Sequence, residues 1–280
     1  MAGAPSIRSS SSPRRRRAEA PPGSIRVLLV DAVSKVYGQA PATYHALDNI
    51  SLEVKRGEFL CLLGPSGCGK TTLLNILAGF ESVSSGTASL NGKRITGPGS
   101  DRVMFFQDAG SALFPWLSVE ENVRFGLKLR GLPRAESDRT ISHYLAMVGL
   151  DEHRAKFPAQ LSGGMRQRLQ IARALAIEPE ILLMDEPFAA LDALTRRRMH
   201  TFLHDIWTKT GKTIVFVTHD IGESILLADR IAIMSVGPRS RFRDIIEVGL
   251  PRPRDPAVPR FGELYGKIEG LLAHEVDALQ

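Results

Sequence analysis

The chain has 280 residues, of which 43% are hydrophobic and 24% charged, a globular balance sufficient for one large domain or two modest ones. No stretch approaches the roughly 20 consecutive apolar residues that a membrane-crossing helix requires, so the chain is expected to be soluble and not to span a bilayer itself. Its net charge of +6 does not describe a basic body for a polyanion, because residues 1–24 hold Arg8, Arg14, Arg15, Arg16 and Arg17 against Glu19 and carry +4 of the total.

That opening segment is rich in Ser, Pro and Arg and poor in large apolar residues, which predicts a disordered tail without the apolar core of a secretory signal. Its arginines are compatible with nucleic acid or anionic lipid, but nothing aromatic or apolar accompanies them, and a solvated tail is the better reading. Residues 27–56 alternate, most clearly at Ile50, Leu52 and Val54, as an antiparallel layer flanking a core would. The continuous apolar runs 59–63, 103–106, 181–184 and 213–217 read instead as strands of a parallel sheet buried on both faces.

Between residues 108 and 160 the period becomes helical, with Val119, Val123, Leu127 and Leu129 in one segment and Ile141, Tyr144, Leu145 and Val148 in another. This predicts a helical subdomain, about 108–162, inserted into an α/β core. After Gly249, Pro251, Pro253 and Pro256 exclude regular structure, and Phe261, Leu264, Ile268, Leu271 and Leu272 then share one face of a terminal amphipathic helix. The expected division is a tail at 1–24, a main domain at 25–250 and an extension at 251–280. Cys61 and Cys68 are too close in sequence for a disulfide framework and lack the partners of a zinc site, which fits a reducing cytoplasm.

Each apolar run is followed at once by unusual polar chemistry: Gly64 to Thr72, Gln107 with Asp108, Asp185 with Glu186, and Thr218 with His219. In open α/β sheets ligands bind beyond the carboxyl ends of the strands, so these ends are expected to converge on one crevice. Gly64, Pro65, Ser66, Gly67, Cys68, Gly69, Lys70 and Thr71 match the Walker A phosphate-binding pattern in its proper context, after a strand and before a helix that begins near Thr72. The glycines let backbone NH groups turn inward toward phosphate oxygens, and the helix adds its positive end. Lys70 is placed to reach the terminal phosphates of ATP, and the Thr71 hydroxyl to ligate Mg²⁺. Cys68 sits inside this loop, either as a thiol whose modification blocks nucleotide binding or as a small filler.

Two acids at the mouth of a buried strand are costly unless a cation or a proton transfer uses them. Helix capping accounts for one acid but not both. Asp185 is expected to hold Mg²⁺ through water and Glu186 to orient or deprotonate the water that attacks the γ-phosphate. His219 and Gln107, at two further strand ends, would complete the ring around that phosphate.

The octet Leu161, Ser162, Gly163, Gly164, Met165, Arg166, Gln167 and Arg168 resembles the signature motif of ABC transporter ATPases. With Walker A before it and Asp185 and Glu186 as Walker B after it, the resemblance covers about residues 25–250. It implies a P-loop NTPase core of the RecA-like type carrying an antiparallel β layer and an inserted helical subdomain. It further implies that Tyr37 stacks on adenine, that Gln107 is the Q-loop and a Mg²⁺ contact, that Asp192 is the D-loop acid and that His219 is the switch histidine. Ala189 stands where the family often has Ser. Ser162 before Gly163 and Gly164 also presents a second helix N-terminus fit for anions, which needs a second source of phosphate. The resemblance supplies it as a head-to-tail pair, each signature closing on the ATP of the other copy.

Leu113 to Leu117, just after the Q-loop, and Leu250 to Arg254 look like the nitrate, sulfonate and taurine branch of bacterial importers. The implied function is an ATPase subunit on the cytoplasmic face of the membrane, energising uptake through separate permease subunits, with an external solute-binding protein acting indirectly and no nucleic-acid partner. The 113–117 patch either meets the permease or is buried within the helical subdomain. The rival readings are a non-transport ABC ATPase acting on DNA or ribosomes and a P-loop kinase. The first usually has a long coiled coil or a second cassette, and the second would lack the signature.

Overall fold

The computed structural model describes residues 26–39, 41–106 and 112–277; the expected basic tail and Gln107 lie outside them. The chain opens with two long antiparallel strands, β1 (Arg26–Gln39) and β2 (Ala42–Lys55), followed by β3 (Phe59–Leu63) and α1 (Lys70–Ala78). Next come β4 (Ser85–Leu90), β5 (Lys93–Arg94) and β6 (Arg102–Phe105). Helices α2 (Val119–Leu129), α3 (Arg134–Met147) and α4 (Gly163–Ala176) separate β6 from β7 (Ile181–Asp185). The remainder is α5 (Ala193–Thr210), β8 (Thr213–Thr218), α6 (Ile221–Leu227), β9 (Arg230–Met234), β10 (Phe242–Glu247) and α7 (Pro259–Asp277).

Two sheets result. A four-stranded antiparallel layer has the order β2-β1-β4-β5, and a six-stranded sheet has the order β10-β9-β3-β8-β7-β6, parallel throughout except for β10 at its edge. The apolar runs are continuous because the large sheet is covered on both faces. Phe59, Cys61 and Leu63 face a core shared with Leu203, Ile206 and Ile225, while Leu60 and Leu62 face one shared with Leu73, Leu74 and Val30. Alternating burial of Ile50, Leu52 and Val54 seats the antiparallel layer on the second core. Strands β4, β5, β9 and β10 extend the sequence-based account. β4 and β5 are short and polar, whereas 231–234 is a continuous apolar run of the kind that marks a buried strand.

Helix α2 begins at a capping box in which Ser118 and Glu121 satisfy each other's backbone NH groups. It buries Val119, Val123 and Leu127, but Leu129 is 77% exposed. Two residues past Leu127 is about 200° around the helix, on the opposite face. Ile141, Tyr144, Leu145 and Val148 are buried as expected and belong to the same cluster as Leu169 and Leu175 of α4.

The segment after Gly249 is irregular and is bolted down by arginines. Arg252 pairs with Asp229 at 2.5 Å, donates to the Leu227 carbonyl at 2.7 Å and lies over the Trp207 ring. Arg254 donates to the carbonyls of Ile225 and Ala228, both at 2.6 Å, and of Leu250 at 3.2 Å. Burial, with Arg252 beside it, lowers its guanidinium pKa to about 10. Phe261 and Ile268 of α7 then pack into the core. Arg254→Ala leaves those carbonyls without a charged donor, a loss of about 2–3 kcal/mol. Thermal unfolding of this variant is expected to shift down by roughly 5–10 °C.

Candidate nucleotide site

The carboxyl ends of β3, β7 and β8 lie side by side because their registers pair Leu63 with Thr218 and Asp185 with Val217. Residues 64–69 turn directly from β3 into α1. Gly69 has φ 89°, a conformation that favours glycine, and a Cβ there would also crowd Leu47 Cδ2 at 2.8 Å. A Cβ at Gly64 would lie 2.8 Å from Cys68 Sγ. Lys70 is buried and its Nζ donates to the carbonyls of Gly64 at 2.7 Å and Pro65 at 2.8 Å, which holds the ammonium at the mouth of the loop.

The loop opens onto a cleft of about 390 Å³ lined by Ser66, Gly67, Gly69, Lys70, Thr71 and Thr72 on one side, Asp185 and Glu186 on another, and Tyr44 and Ala46 of β2. Burial raises the Asp185 pKa above the usual carboxylate range. Neighbouring Glu186 adds to the shift, while a hydrogen bond with the Thr71 side chain and the charge of Lys70 oppose it. Glu186 has φ 43°, a left-handed conformation that is uncommon outside glycine and costs of the order of 1–3 kcal/mol. Its NH donates to Val217 O at 3.1 Å, and its Oε2 stands 3.1 Å from His219 Nδ1.

Lys70, Thr71, Thr72, Asp185, Glu186 and His219 are thus brought together, whereas other expected site residues stand elsewhere. Tyr37 is not among the residues lining the cleft: it is half-buried, with Lys35 Nζ 4.8 Å from its ring centre. Tyr44, its direct partner across the β1–β2 ladder, lines the cleft instead. Which aromatic reaches the cleft depends on the bulged register of β1 on β2, which no local pattern gives. Ser162, Gly163, Gly164 and Asp192 also lie outside the cleft lining. Ser162 caps α4, its Oγ accepting from Met165 N at 3.3 Å, and Asp192 caps α5, accepting from Thr195 N at 2.9 Å. The glycine pair approaches the same turn: Cβ atoms at Gly163 and Gly164 would fall 3.4 Å from Leu191 and 3.2 Å from Thr195. The signature and the Asp192 loop are therefore one surface, apart from the phosphate loop of the same chain.

Cys68 is 1% exposed, and burial raises its thiol pKa against the opposing charge of Lys70. A buried thiol with little thiolate is a filler rather than a reactive group. The 113–117 patch is split: Leu113 is buried while Trp116 is 70% exposed. Phe114 joins them, with Trp116 at 5.6 Å and Arg173 over its ring.

Residues 47–189 match the family model described as ABC transporter. The chain is 51% identical over 193 residues to the taurine import ATP-binding protein TauB of Roseobacter denitrificans, covering 69% of this chain and 71% of that protein. It is 45% identical over 230 residues to the bicarbonate transport ATP-binding protein CmpD of Synechocystis, covering 81% of each. Among solved structures, the dimeric ATP-binding cassette MJ0796 bound to ADP and Pi superimposes with a TM-score of 0.68 at 30% identity, over 80% of this chain and all of that one.

Two outcomes follow from the site's electrostatics. A raised Asp185 pKa means the folded chain holds that proton more tightly than the unfolded one. Ionising it therefore costs stability as pH rises from the unfolded carboxylate range through the raised folded pKa. Asp185→Asn is expected to raise the melting temperature of the nucleotide-free chain at pH 7 and to abolish the further rise produced by MgATP. Iodoacetamide at pH 7.5 is expected to leave both cysteines of the native chain unmodified, as mass spectrometry would show, and to label both after unfolding in urea.

Proposed function

The chain belongs to the ABC transporter family and is an ATPase subunit of an importer, and from that footing we propose how its residues divide the work. Lys70 and the backbone NH groups of residues 64–69 bind the terminal phosphates of ATP. Glu186 orients the attacking water and accepts its proton, and His219 steadies the γ-phosphate from the neighbouring strand. The observation that carries this reading is the meeting of Lys70, Asp185 and Glu186 in one cleft, with His219 3.1 Å from Glu186. Thr71 Oγ and Asp185 present hard oxygen donors at a half-buried spot where a carboxylate is left under-neutralised, and this donor set fits Mg²⁺. Bound there, Mg²⁺ would neutralise developing phosphate charge. Gln107 is assigned to the same cation and phosphate by its place after β6, and Tyr37 with Tyr44 to the adenine side.

The separation of Ser162, Gly163, Gly164 and Asp192 from the cleft supports a head-to-tail dimer, in which each signature surface completes the site of the other copy. That the cassette MJ0796, which resembles this chain, is dimeric supports pairing of two copies. We assign the ATPase domain to 25–250, with the helical subdomain at about 108–162 and the extension at 251–280. No helix among the described residues is long and apolar enough to cross a membrane; we assign the pathway to separate permease subunits, on whose cytoplasmic face the dimer would sit. Phe80 and Phe106, stacked at 6.2 Å and about half exposed, offer an aromatic surface for a permease helix, and Trp116, 70% exposed, is a further exposed aromatic. The solute we infer is a small compact oxyanion or sulfonate, such as taurine, nitrate or bicarbonate, delivered by an external binding protein. The import and transport names of the relatives do not favour a role on DNA or ribosomes.

Lys70→Ala is expected to weaken MgATP binding at least tenfold, roughly 1.4 kcal/mol or more, in a fluorescent-nucleotide titration. Glu186→Gln is expected to keep binding within about twofold while turnover falls roughly 10²–10⁴-fold, and to run as a dimer on gel filtration in ATP. Wild-type turnover in that variant would refute the role given to Glu186, and a monomer at saturating ATP would refute the dimer.

A further inference from the structure

We propose that His200 and Glu223 form a positioning pair that holds His219 against Glu186, an inference that rests on the phosphate-facing roles given to those two residues above. His219 itself is loosely held: its side chain is 60% exposed, and its ring contact is Glu186. Its place is set by its neighbours. Thr218, buried, donates its hydroxyl to Glu223 Oε2 and accepts from Asp220 N at 3.0 Å. Asp220 Oδ1 accepts in turn from Glu223 N at 2.8 Å as the cap of α6. Residues 218–223 are thereby closed into one hydrogen-bonded ring around the backbone that presents His219.

Glu223 is the hub of this ring. Its side chain is 8% exposed, and a buried carboxylate must be matched by donors. Thr218 supplies one. The other comes from a different helix: His200 Nε2 of α5 stands 2.6 Å from Glu223 Oε1. His200 touches the second arm of the site as well, its ring 5.7 Å from that of Phe188, two residues beyond Glu186. Phe188 packs on Phe216 of β8 at 5.9 Å. The hydrogen bonds run to one strand end only: His200 reaches the backbone bearing His219 through Glu223 and Thr218, whereas its contact with Phe188 is ring packing. A small, partly open cavity of about 60 Å³ is lined by Glu186, Phe188, His219 and Glu223 among others, so the His219 arm has room to move if the pair is broken.

Neither residue of the pair reaches the phosphate cleft, so both act through His219. Their loss should lower kcat with little change in KM, because the phosphate loop that binds ATP is untouched. The test is steady-state ATP hydrolysis and fluorescent-nucleotide binding by the full chain and by His200→Ala, His200→Gln and Glu223→Gln, each made alone and in a His219→Ala background. Thermal melts would confirm that each variant folds. We expect His200→Ala and Glu223→Gln to lower kcat roughly 10–100-fold, the scale of a misplaced catalytic group, with KM and nucleotide affinity within about twofold. His200→Gln, whose amide can still donate to Glu223, should recover most of the loss. In the His219→Ala background the same changes should have no further effect.

The proposal is overturned if folded His200→Ala and Glu223→Gln keep wild-type kcat, or if their losses multiply with that of His219→Ala. It is overturned equally if KM moves as much as kcat. Failure of the underlying reading is seen separately: a wild-type chain that does not hydrolyse ATP, or a His219→Ala chain that does so at full rate, removes the role of His219 before the pair is considered.

Discussion

Everything at the nucleotide site depends on a sheet that is dry on both faces. Strands β3, β7 and β8 are flanked by the antiparallel layer and α1 on one side and by α5, α6 and α7 on the other, so no charged group is tolerated along their length. Only their carboxyl ends are free to carry polar chemistry. The parallel register then decides which polar groups meet, since pairing Leu63 with Thr218 and Asp185 with Val217 brings the phosphate loop, the acid pair and the histidine to the same height. A shift of one residue in either pairing would displace a whole functional segment by about 3.3 Å, more than a hydrogen bond can follow.

The same arrangement sets stability against function. Asp185 is pushed toward its neutral form by burial and by Glu186, Glu186 is held in a left-handed backbone conformation, and Lys70 is drawn into a ring of carbonyls. The buried carboxylate and the left-handed backbone cost stability in the free chain, and a cation bound at Asp185 would offset the first of these. Binding is thereby coupled to the release of local cost, which ties the state of the site to the state of its ligand.

Around this centre the helices act as braces between segments distant in sequence. Gln167 of α4 donates to the carbonyl of Pro187, next to Glu186. Helix α5 starts at Asp192, carries His200 to Glu223, and places Trp207 beneath Arg252. The terminal extension holds α6 by its last carbonyls through Arg252 and Arg254. Residues 162–164, the acid pair and His219 are thus mechanically joined within one chain, although residues 162–164 do not line that chain's own cleft.

Much of this was legible before any coordinates. The strand–loop–helix grammar of residues 59–78, the acids closing the 181–184 run and the continuous apolar strands are local statements, because glycine conformation, helix starts and two-sided burial leave their mark on adjacent residues. Local pattern also identified the faces of α2, α3 and α7, apart from Leu129, where helical rotation rather than composition decides the side. What no local pattern contained was which elements touch. That Tyr44 rather than Tyr37 lines the cleft follows from how β1 and β2 lie over α1, and β4, β5 and β10 are strands only because a neighbour's edge satisfies their short, polar backbones. The meeting of His200 with Glu223 and Phe188 likewise depends on the packing of α5 against α6 and β7. Chemistry carried by consecutive residues is written in the sequence, whereas chemistry made between remote side chains exists only once packing has chosen their partners.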